Sequence, residues 1–425
     1  MKKVLGVLLA AVVLVSCTLA PAQESPTPVS GVLLSNVSRV PADAEAATEA
    51  ARAINDFGLD LYRRLVADKD VNTVISPASI AIALSMARLG ARGTTADEMD
   101  AVLHGLLAGG PDAINSLDQA LAARNREVRD AHGDRQQIVL RIANAPFAQQ
   151  DYGWHTEYLD ALAASFGAGM RTVDYHTNPE GAREQINRWV SEQTEERIPE
   201  LLGPGTIDSA TRLTLVNAIY LKAPWMQPFY EDATKPAPFH RLDGSSVDVP
   251  MMSGLAYHAY AAGDGWQAVE LPYAGEELAM LLILADDLAA FTGRLDGAML
   301  ASITDALANE WVSLAMPLFE TETSAELNDD LIAVGMPTAF SSGGADFSGM
   351  TDQERLFIAL VAHQANITVD EKGTEAAAAT AVAMAGSIPP PPTAMSLDHP
   401  FLFVLRDRTT GAVLFLGQIV DPSAD

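Results

Sequence analysis

The stretch from Glu371 to Pro392, EKGTEAAAATAVAMAGSIPPPP, constrains the fold more than any other part of the 425-residue chain. Seven alanines lie between Glu371 and Ser387, and a four-proline block follows Ile388. Alanine favours helix, yet segments rich in Val, Ile, Leu and Phe, which are typical of strands, lie on both sides of this run. The composition therefore suggests a loop of small side chains that can enter a sheet as an additional strand.

Alternation along the run supports the strand interpretation, because successive residues of a strand face opposite sides of the sheet. One face carries a single charge, Glu375, which we expect in solvent, and is otherwise alanine. The opposite face is compatible with a hydrophobic core and consists of Thr374, Ala376, Ala378, Thr380, Val382 and Met384.

The energy of such an insertion is large on the scale of protein stability. As a strand, residues 374–387 would span about 46 Å at about 3.3 Å per residue. About ten new ladder hydrogen bonds, each contributing about 0.5–1.5 kcal/mol, would yield about 10 kcal/mol. Because a typical domain is stable by only about 5–15 kcal/mol, a chain that keeps this strand outside its sheet is metastable. A cut in the loop can release that energy.

Composition and motifs exclude several classes of function. Hydrophobic residues make up 48% of the chain, enough for a substantial core, and the net charge of −28 disfavours nucleic acid or an acidic membrane as a general partner. No G-x-S-x-G, H-E-x-x-H, G-x-x-x-x-G-K or G-x-G-x-x-G motif is present, and the eight histidines have no metal-ligand spacing. We expect neither an enzyme nor a metal or cofactor site.

The N-terminus has the pattern of an export signal. Two lysines precede an apolar run at 4–15 that is too short to span a membrane. Its L-V-S-C ending resembles the bacterial lipobox, which predicts a signal peptide at 1–16 and lipidation of Cys17; the alternative is ordinary signal cleavage after Ala22. Because Cys17 is the only cysteine, no internal disulfide is expected. Residues 17–42 are rich in Pro, Ser and Thr, and we interpret them as a tether.

Residues 43–425 show no repeat and no internal linker, and helical patterns precede strand patterns, which favours one α+β domain. Ser76 is positioned to cap a helix that begins at Pro77. Thr95 and Glu98 have the spacing of a capping box. Helical spacing predicts an earlier helix with a buried face formed by Ile54, Phe57, Leu61 and Leu65.

Several separated segments resemble the serpin family of serine protease inhibitors, in order, over nearly all of residues 50–422. The resemblance implies the serpin fold, in which helices pack around a large central mixed sheet, with further sheets and an exposed reactive loop. The matching segments are DFGLDLYRRL at 56–65, NTVISPASIAIALSMARLGARGTTADEM at 72–99, LTLVNAIYLKAPWMQPF at 213–229, PMM at 250–252, ADFSGM at 345–350, HQANITVDEKGTEAAAATA at 363–381 and HPFLFVLRDRTTGAVLFLGQIVDP at 399–422.

The resemblance also implies roles for buried polar residues. Ser76, Ser79, Asn217 and His363 match the family's shutter, where the central sheet parts, and Trp225 matches the breach, where insertion of the loop begins. Hydroxyl, amide and imidazole groups can exchange hydrogen-bond partners as strands separate, which avoids unpaired buried groups. Each residue also has an ordinary interpretation, as a helix cap, a core histidine or a core aromatic residue.

The family pattern places the hinge of the loop at its N-terminal end. Counting the usual length of the loop from Glu371 puts the reactive bond at Ser387–Ile388, whereas matching S-I-P-P to related loops puts it at Gly386–Ser387. The hinge residues implied by the match are Glu371, Gly373, Thr374, Glu375, Ala376, Ala377, Ala378 and Ala379.

The function implied by the resemblance is suicide inhibition of a serine protease by a monomer that supplies no catalytic residue. The protease forms an acyl-enzyme with the loop, and insertion of the cut hinge traps both proteins; this insertion is an established example of strand addition. No Lys or Arg occurs between Lys372 and Arg406, which disfavours trypsin-like targets. Small residues at 385–387 favour elastase- or subtilisin-like proteases, with Met384 as a secondary position. The alternative is a non-inhibitory member that binds proteins or assists folding.

Overall fold

The computed structural model describes residues 31–67, 70–374 and 391–424. The signal peptide at 1–16, Cys17 and the reactive-bond residues Gly386, Ser387 and Ile388 lie outside the described residues, as do the hinge residues Glu375, Ala376, Ala377, Ala378 and Ala379. None of the described helices is long and apolar enough to cross a membrane. These helices are α1 (Ala44–Val66), α2 (Pro77–Arg88), α3 (Gly93–Val102), α4 (Asp112–Ala122), α5 (Thr156–Phe166), α6 (Pro179–Gln193), α7 (Leu288–Arg294), α8 (Gly297–Asp305) and α9 (Asn328–Val334).

A large mixed sheet, which we call the central sheet, is one of two sheets in the described part of the chain. Its strand order is β1-β5-β4-β6-β14-β13-β12, with β3 paired to β4. The strands are β1 (Val32–Leu33), β3 (Arg126–Arg129), β4 (Arg135–Gln149), β5 (Met170–Val173), β6 (Leu213–Pro224), β12 (Phe319–Glu326), β13 (Leu360–Val369) and β14 (Gly373–Thr374).

The second sheet has the order β15-β11-β8-β9-β10-β16-β17-β2, with β7 paired to β8. Its C-terminal strands β16 and β17 form an antiparallel hairpin, and β15, which begins three residues after Pro390, forms one edge. The strands are β2 (Thr73–Ile75), β7 (Lys235–His240), β8 (Ser246–Gly263), β9 (Trp266–Pro272), β10 (Leu278–Ala285), β11 (Ala308–Pro317), β15 (Thr393–Ser396), β16 (Phe401–Asp407) and β17 (Val413–Ile419).

Around β6 and β13 the central sheet is buried on both faces, which explains why β6 is apolar along almost its whole length. One face packs into the main hydrophobic cluster, which includes Leu215 and Ile219 of β6 and residues of α1 and α2. The other face packs into a second cluster, in which Val216 and Ala218 of β6 join Ile186 of α6. Any strand added to this sheet must therefore fit between two packed layers.

The local helix predictions are partly confirmed. Ser76 caps α2 and its side chain accepts a hydrogen bond from the Ser79 backbone N–H, with Pro77 in the first turn. The predicted capping box at Thr95 and Glu98 is wrong, because α3 begins at Gly93 with no side-chain cap. The Thr95 hydroxyl instead accepts from the backbone of Asp346, and Glu98 accepts from Thr338, so tertiary contacts use both side chains.

Residues 31–42, which the sequence analysis assigns to the tether, lie against the domain. Val32 and Leu33 pair with the edge strand β5 and extend the central sheet. Arg39 forms an ion pair with Asp118 of α4 and donates to the side chain of Asn115 at 2.9 Å. This N-terminal segment therefore covers an edge that would otherwise expose unpaired backbone groups.

We expect Arg39→Ala to lower the free energy of unfolding by about 1–3 kcal/mol, because it leaves a partly buried carboxylate without its partner and removes one hydrogen bond to the buried side chain of Asn115. Burial raises the pKa of Asp118, and Arg39 opposes that shift. Arg52→Ala, on an exposed position of α1, is the control. Denaturant unfolding of both variants would measure the effect, and equal stabilities would contradict a structural role for the segment.

Candidate functional site

Strands β6 and β13 pair directly over part of their length and are separated by β14 over another part. Residues 214–219 of β6 pair in parallel with residues 360–365 of β13. Further along, Thr374 of β14 lies between Ala223 and Val369 and runs antiparallel to both neighbours. The beginning of the alanine-rich stretch thus already occupies a strand position inside the central sheet.

The chain that leads into β14 is held through its backbone carbonyls. The indole N–H of Trp225 donates to the carbonyl of Asp370 at 3.0 Å, and its backbone N–H donates to the carbonyl of Lys372 at 2.8 Å. The backbone N–H of Phe229 donates to the carbonyl of Glu371 at 2.8 Å. These three consecutive carbonyls fix the turn from β13 into β14 against the segment after β6.

Side chains of the same turn add polar contacts. Lys372 forms an ion pair with Glu231 at 3.0 Å, and Glu371 accepts from the hydroxyl of Thr234 at 2.6 Å. The carboxylate of Asp370 accepts from the backbone N–H of Lys372 at 2.8 Å. Burial raises the pKa of Asp370, and its backbone hydrogen bonds oppose that shift. Predicted hinge residue Glu371 therefore lies in an ordered turn.

Gly373 is required by both its conformation and its surroundings. Its φ of +148° lies in a region that side chains disfavour. A Cβ atom would also lie 2.4 Å from the carbonyl oxygen of Ala223 and 2.6 Å from the Cα of Pro224. Only glycine allows the backbone of β14 to approach the end of β6 this closely.

Thr374 is buried, and its hydroxyl lies 2.8 Å from the phenol oxygen of Tyr273. Tyr273 stacks on Trp225 with ring centroids 4.5 Å apart and an interplanar angle of 12°. Burial raises the pKa of Tyr273, so the phenol remains neutral. We call these three residues, together with Gly373, the hinge contact. Tyr273 could not be predicted from the sequence, because nothing in its local pattern distinguishes it from a core aromatic residue.

The four predicted shutter residues are all fully buried. The backbone N–H of Ser76 donates to Nε2 of His363 at 3.2 Å. Because Nε2 accepts, the proton lies on Nδ1, which donates to the side-chain oxygen of Asn217 at 2.5 Å. The Asn217 amide in turn donates to the carbonyl of Ala362 at 2.9 Å. Two of these bonds join β6 to β13 directly.

A fifth residue, Asn144 of β4, completes what we call the shutter cluster, and the sequence analysis missed it. The Ser79 hydroxyl donates to its side-chain oxygen at 2.9 Å, and Asn144 lies opposite Asn217 in the β4–β6 register. The Asn144 amide nitrogen is buried and has no hydrogen-bond partner among the described residues. Such a group is uncommon in folded proteins and leaves donor capacity for another arrangement of the cluster.

Burial lowers the pKa of His363 to about 3, because the interior disfavours the imidazolium ion. The neutral ring can both accept from Ser76 and donate to Asn217, whereas the cation could only donate. The shutter cluster therefore depends on an uncharged histidine.

The hinge contact and the shutter cluster lie at two different points beside β6. Ala223, which pairs with Thr374, is six positions after Asn217 on β6, which corresponds to about 20 Å. Within the described ranges, no group of three or more His, Cys, Asp or Glu side chains could hold a metal ion. The site is thus a set of contacts around two strands that pair directly at one end and are separated by β14 at the other.

Comparison with known proteins identifies the architecture. The family model described as Serpin (serine protease inhibitor) matches residues 52–422. The chain belongs to the serpin family. The fold predicted from the sequence, with helices around a large mixed sheet and further sheets, is confirmed.

Individual relatives are similar over almost the whole domain. An uncharacterised serpin-like protein of Thermococcus kodakarensis is 38% identical over 375 residues, which is 87% of this chain and 85% of that protein. The leukocyte elastase inhibitor of Homo sapiens is 35% identical over 383 residues, covering 86% of this chain and 97% of that protein.

Two solved serpin structures are similar in fold. Native protease nexin-1 with heparin has a TM-score of 0.77 and 29% identity, and uncleaved ovalbumin has a TM-score of 0.77 and 26% identity. Each alignment covers 88% of this chain and 100% of the other.

A double-mutant cycle tests the hinge contact. We expect Tyr273→Phe and Thr374→Val each to destabilise the protein by about 1 kcal/mol. Each substitution removes one of the two hydroxyls and leaves the other one buried without this hydrogen-bond partner. Their effects should be non-additive by about 0.5–1.5 kcal/mol, since both remove the same hydrogen bond. Tyr158→Phe, which removes a distant bond to the carbonyl of Met86, should combine additively with Thr374→Val. Additivity in both pairs would contradict the contact.

A pH titration of stability tests the shutter histidine. The pKa of His363 is about 3 in the folded protein against an ordinary value of 6.5, so the unfolded state holds more protons between these values. The corresponding stability is complete above about pH 6.5 and is lost as the pH falls toward 3. His363→Gln should flatten this part of the unfolding profile, whereas His132→Gln, at an exposed position, should not. An unchanged slope in His363→Gln would exclude this role.

Proposed function

We propose that this serpin is an irreversible suicide inhibitor of serine proteases that traps its target by inserting the cleaved reactive loop into the central sheet. The supporting observation is that β14 lies between β6 and β13 and runs antiparallel to both. Insertion then means extending a strand that has already started.

The register requires no sliding of the neighbouring strands. Where β14 separates the two strands, Ala223 of β6 and Val369 of β13 lie on either side of Thr374, and their positions in the sequence differ by 146. Where β6 and β13 pair directly, the partners Thr214 and Leu360 also differ by 146 positions. The two strands keep the same relative offset in both regions, so a longer β14 needs them only to move apart sideways.

If the pairing of β14 with β6 continues in the same register, one face of the loop lies against the main hydrophobic cluster. Residues that share a face with Thr374 fall opposite residues of β6 that are each at most 3% exposed. In this register Met384 reaches the first residue of β6, Leu213. The resulting pairs are Ala376 with Leu221, Ala378 with Ile219, Thr380 with Asn217, Val382 with Leu215 and Met384 with Leu213.

The opposite face of the loop meets the layer formed by α6. Ala379 and Ala381 fall opposite Ala218 and Val216, which belong to the cluster that includes residues of α6. Alanine suits this face because a larger side chain would have to displace packed helix residues. The single charge, Glu375, falls opposite Lys222, a favourable cross-strand pair.

Thr380 has a special position in this register, because it falls opposite both Asn217 of β6 and His363 of β13. Insertion breaks the bond between these two side chains, and a hydroxyl between them can both donate and accept. Thr380 thus supplies new partners where the shutter cluster opens.

The exchange of strand pairs is favourable overall. Separating β6 from β13 breaks one parallel ladder of six residue pairs. The inserted strand forms two antiparallel ladders in its place, and antiparallel pairing is slightly more stable per residue. This difference provides the driving force, about 10 kcal/mol for about ten additional hydrogen bonds.

The chemistry belongs to the protease. Its serine hydroxyl attacks the carbonyl of Ser387, the bond to Ile388 breaks, and the new amine takes the proton and leaves with the C-terminal fragment. The ester that remains links the protease to the hinge, so insertion moves the protease before water can hydrolyse the ester. Gly386–Ser387 remains the alternative bond.

The residues near this bond favour an elastase- or subtilisin-like target. No Lys or Arg occurs between Lys372 and Arg406, and residues 385–387 are Ala, Gly and Ser. Several relatives that match over most of their length carry the name leukocyte elastase inhibitor, which supports the same class.

Incubation with pancreatic elastase and with subtilisin tests the proposal. We expect an SDS-stable complex with at least one of them, and a released fragment whose N-terminus is Ile388. Thr374→Arg should form no complex and be cleaved as a substrate, because a buried charge blocks the hinge. Thr409→Arg, at an exposed turn position, should inhibit like the unmodified protein. Cleavage of the unmodified loop without a complex would instead support the non-inhibitory alternative.

We also propose that the protein is exported and anchored to the cell envelope through a lipid on Cys17, on the basis of the L-V-S-C sequence. Labelling with radioactive palmitate in a bacterial host should mark the unmodified protein and not Cys17→Ala. Label that survives in Cys17→Ala would support free secretion after cleavage at Ala22.

A further inference from the structure

The N-terminal segment joins the domain at the end of the central sheet where β6 begins. Thr172 of β5 lies opposite Ala148 of β4, and Ala148 lies opposite Leu213, the first residue of β6. The backbone N–H of Thr172 donates to the carbonyl of Gly31 at 2.8 Å. These four residues therefore form one row across the sheet, and we call this end of the molecule the lower pole.

The direction of β1 shows from which side the chain arrives. β1 is antiparallel to β5, with Val32 opposite Arg171 and Leu33 opposite Met170. β5 runs parallel to β4, toward the lower pole. β1 therefore runs away from the lower pole, and the chain before Gly31 joins the domain at that pole.

The intact reactive loop begins at the opposite end of the same sheet. Thr374, the last described residue before the loop, pairs with Ala223. Ala223 is ten positions after Leu213 on β6, which corresponds to about 33 Å. The start of the loop and the entry of the N-terminal segment are thus separated by almost the whole length of β6.

Insertion of the cleaved loop would remove this separation. In the register of the proposed insertion, Met384 lies opposite Leu213 and so falls in the same row as Gly31. The four strand spacings between the inserted strand and β1 amount to about 19 Å. Ser387 is three residues beyond Met384, which adds about 10 Å. The protease that is bound to Ser387 would therefore end beside the point where the N-terminal segment enters the domain.

The width of a protease is close to the reach of the chain between the proposed lipid and the domain. A protease of about 250 residues is about 45 Å across. The chain from Cys17 to Gly31 can span at most about 50 Å. A protease therefore fits between the lower pole and a membrane only when most of this length is used. The net charge of −28 also opposes direct contact of the domain with an anionic membrane.

We propose that the lower pole of the anchored protein faces the membrane and the intact loop faces away from it, and that residues 17–30 are the spacer that makes room for the trapped protease. This inference rests on the proposed inhibition and on the proposed lipid at Cys17. It predicts that the length of the spacer matters for trapping at a membrane and does not matter for trapping in solution.

Energy transfer to the membrane tests the orientation without any protease. The lipidated protein is placed in phosphatidylcholine vesicles that contain rhodamine-labelled lipid, with a donor dye on a new cysteine in Ser209→Cys or Asp232→Cys. Both positions are exposed. Ser209 precedes β6 at the lower pole, whereas Asp232 follows Phe229, which is bonded to the turn before β14. Transfer should be more efficient from residue 209. Equal efficiencies, or a higher efficiency from residue 232, overturn the inference.

Deletion of residues 20–28 tests the spacer. The remaining chain from Cys17 to Gly31 spans at most about 18 Å, less than half the width of a protease, so the loop should still be cleaved while insertion is obstructed. The readout is the number of inhibitor molecules consumed per protease trapped on vesicles, with whichever of pancreatic elastase and subtilisin forms a complex in solution. This number should rise about fivefold or more, since the rate of insertion falls exponentially with any barrier that crowding adds.

Two controls separate spacer length from other effects. Replacement of residues 20–28 by nine Gly and Ser residues should leave trapping on vesicles unchanged, and so should the same deletion in Cys17→Ala in solution. An unchanged number for the shortened protein on vesicles overturns the inference. An equal rise in the shortened Cys17→Ala form also overturns it, because the defect would then lie in the domain. Absence of any complex in solution would instead contradict the proposed function, and energy transfer would then decide the orientation alone.

Discussion

The direct pairing of β6 with β13 is the interaction on which the rest of this structure depends. It is a short parallel ladder inside a sheet that is buried on both faces, and β14 already separates the same two strands beyond residues 219 and 365. The hinge contact holds that separation at one end, and the shutter cluster holds the ladder closed about 20 Å away. In the described structure β6 and β13 are thus paired along one part and separated along another, and the residues that hold this arrangement contact the sheet at two points along β6.

This arrangement gives a physical reason for residues that composition alone leaves unexplained. In the proposed insertion, the alanines of the loop suit a strand that enters the sheet beneath α6. Gly373 suits a backbone so close to Ala223 that no side chain would fit between them. The unpartnered amide of Asn144 and the neutral ring of His363 leave the shutter cluster able to accept a new neighbour. A closed network with every donor satisfied would resist opening more strongly.

Much of the fold could be predicted from the sequence, because it is determined by long apolar patterns and by residues that mark where helices and strands begin and end. The cap at Ser76 was recognisable for this reason, whereas β12, FETETSAE, was not predicted because its polar residues alternate at a sheet edge. The shutter residues were found through a family pattern. Tyr273 and Asn144 were missed because their roles exist only through strand register, which brings distant positions together. The packing of residues 31–42 was also missed, since a Pro- and Ser-rich segment indicates a tether unless its contacts are known.

The central claim is that the intact protein stores energy that insertion of its loop releases. Thermal unfolding of the intact protein and of the protein cut once within residues 384–388 would measure this most directly. Ten additional hydrogen bonds correspond to about 10 kcal/mol, which for a domain of this size predicts a melting temperature higher by about 12 °C after the cut. Thr374→Arg should lack this increase, because its hinge cannot enter the sheet. An unchanged or lower melting temperature after cleavage of the unmodified protein would contradict the account.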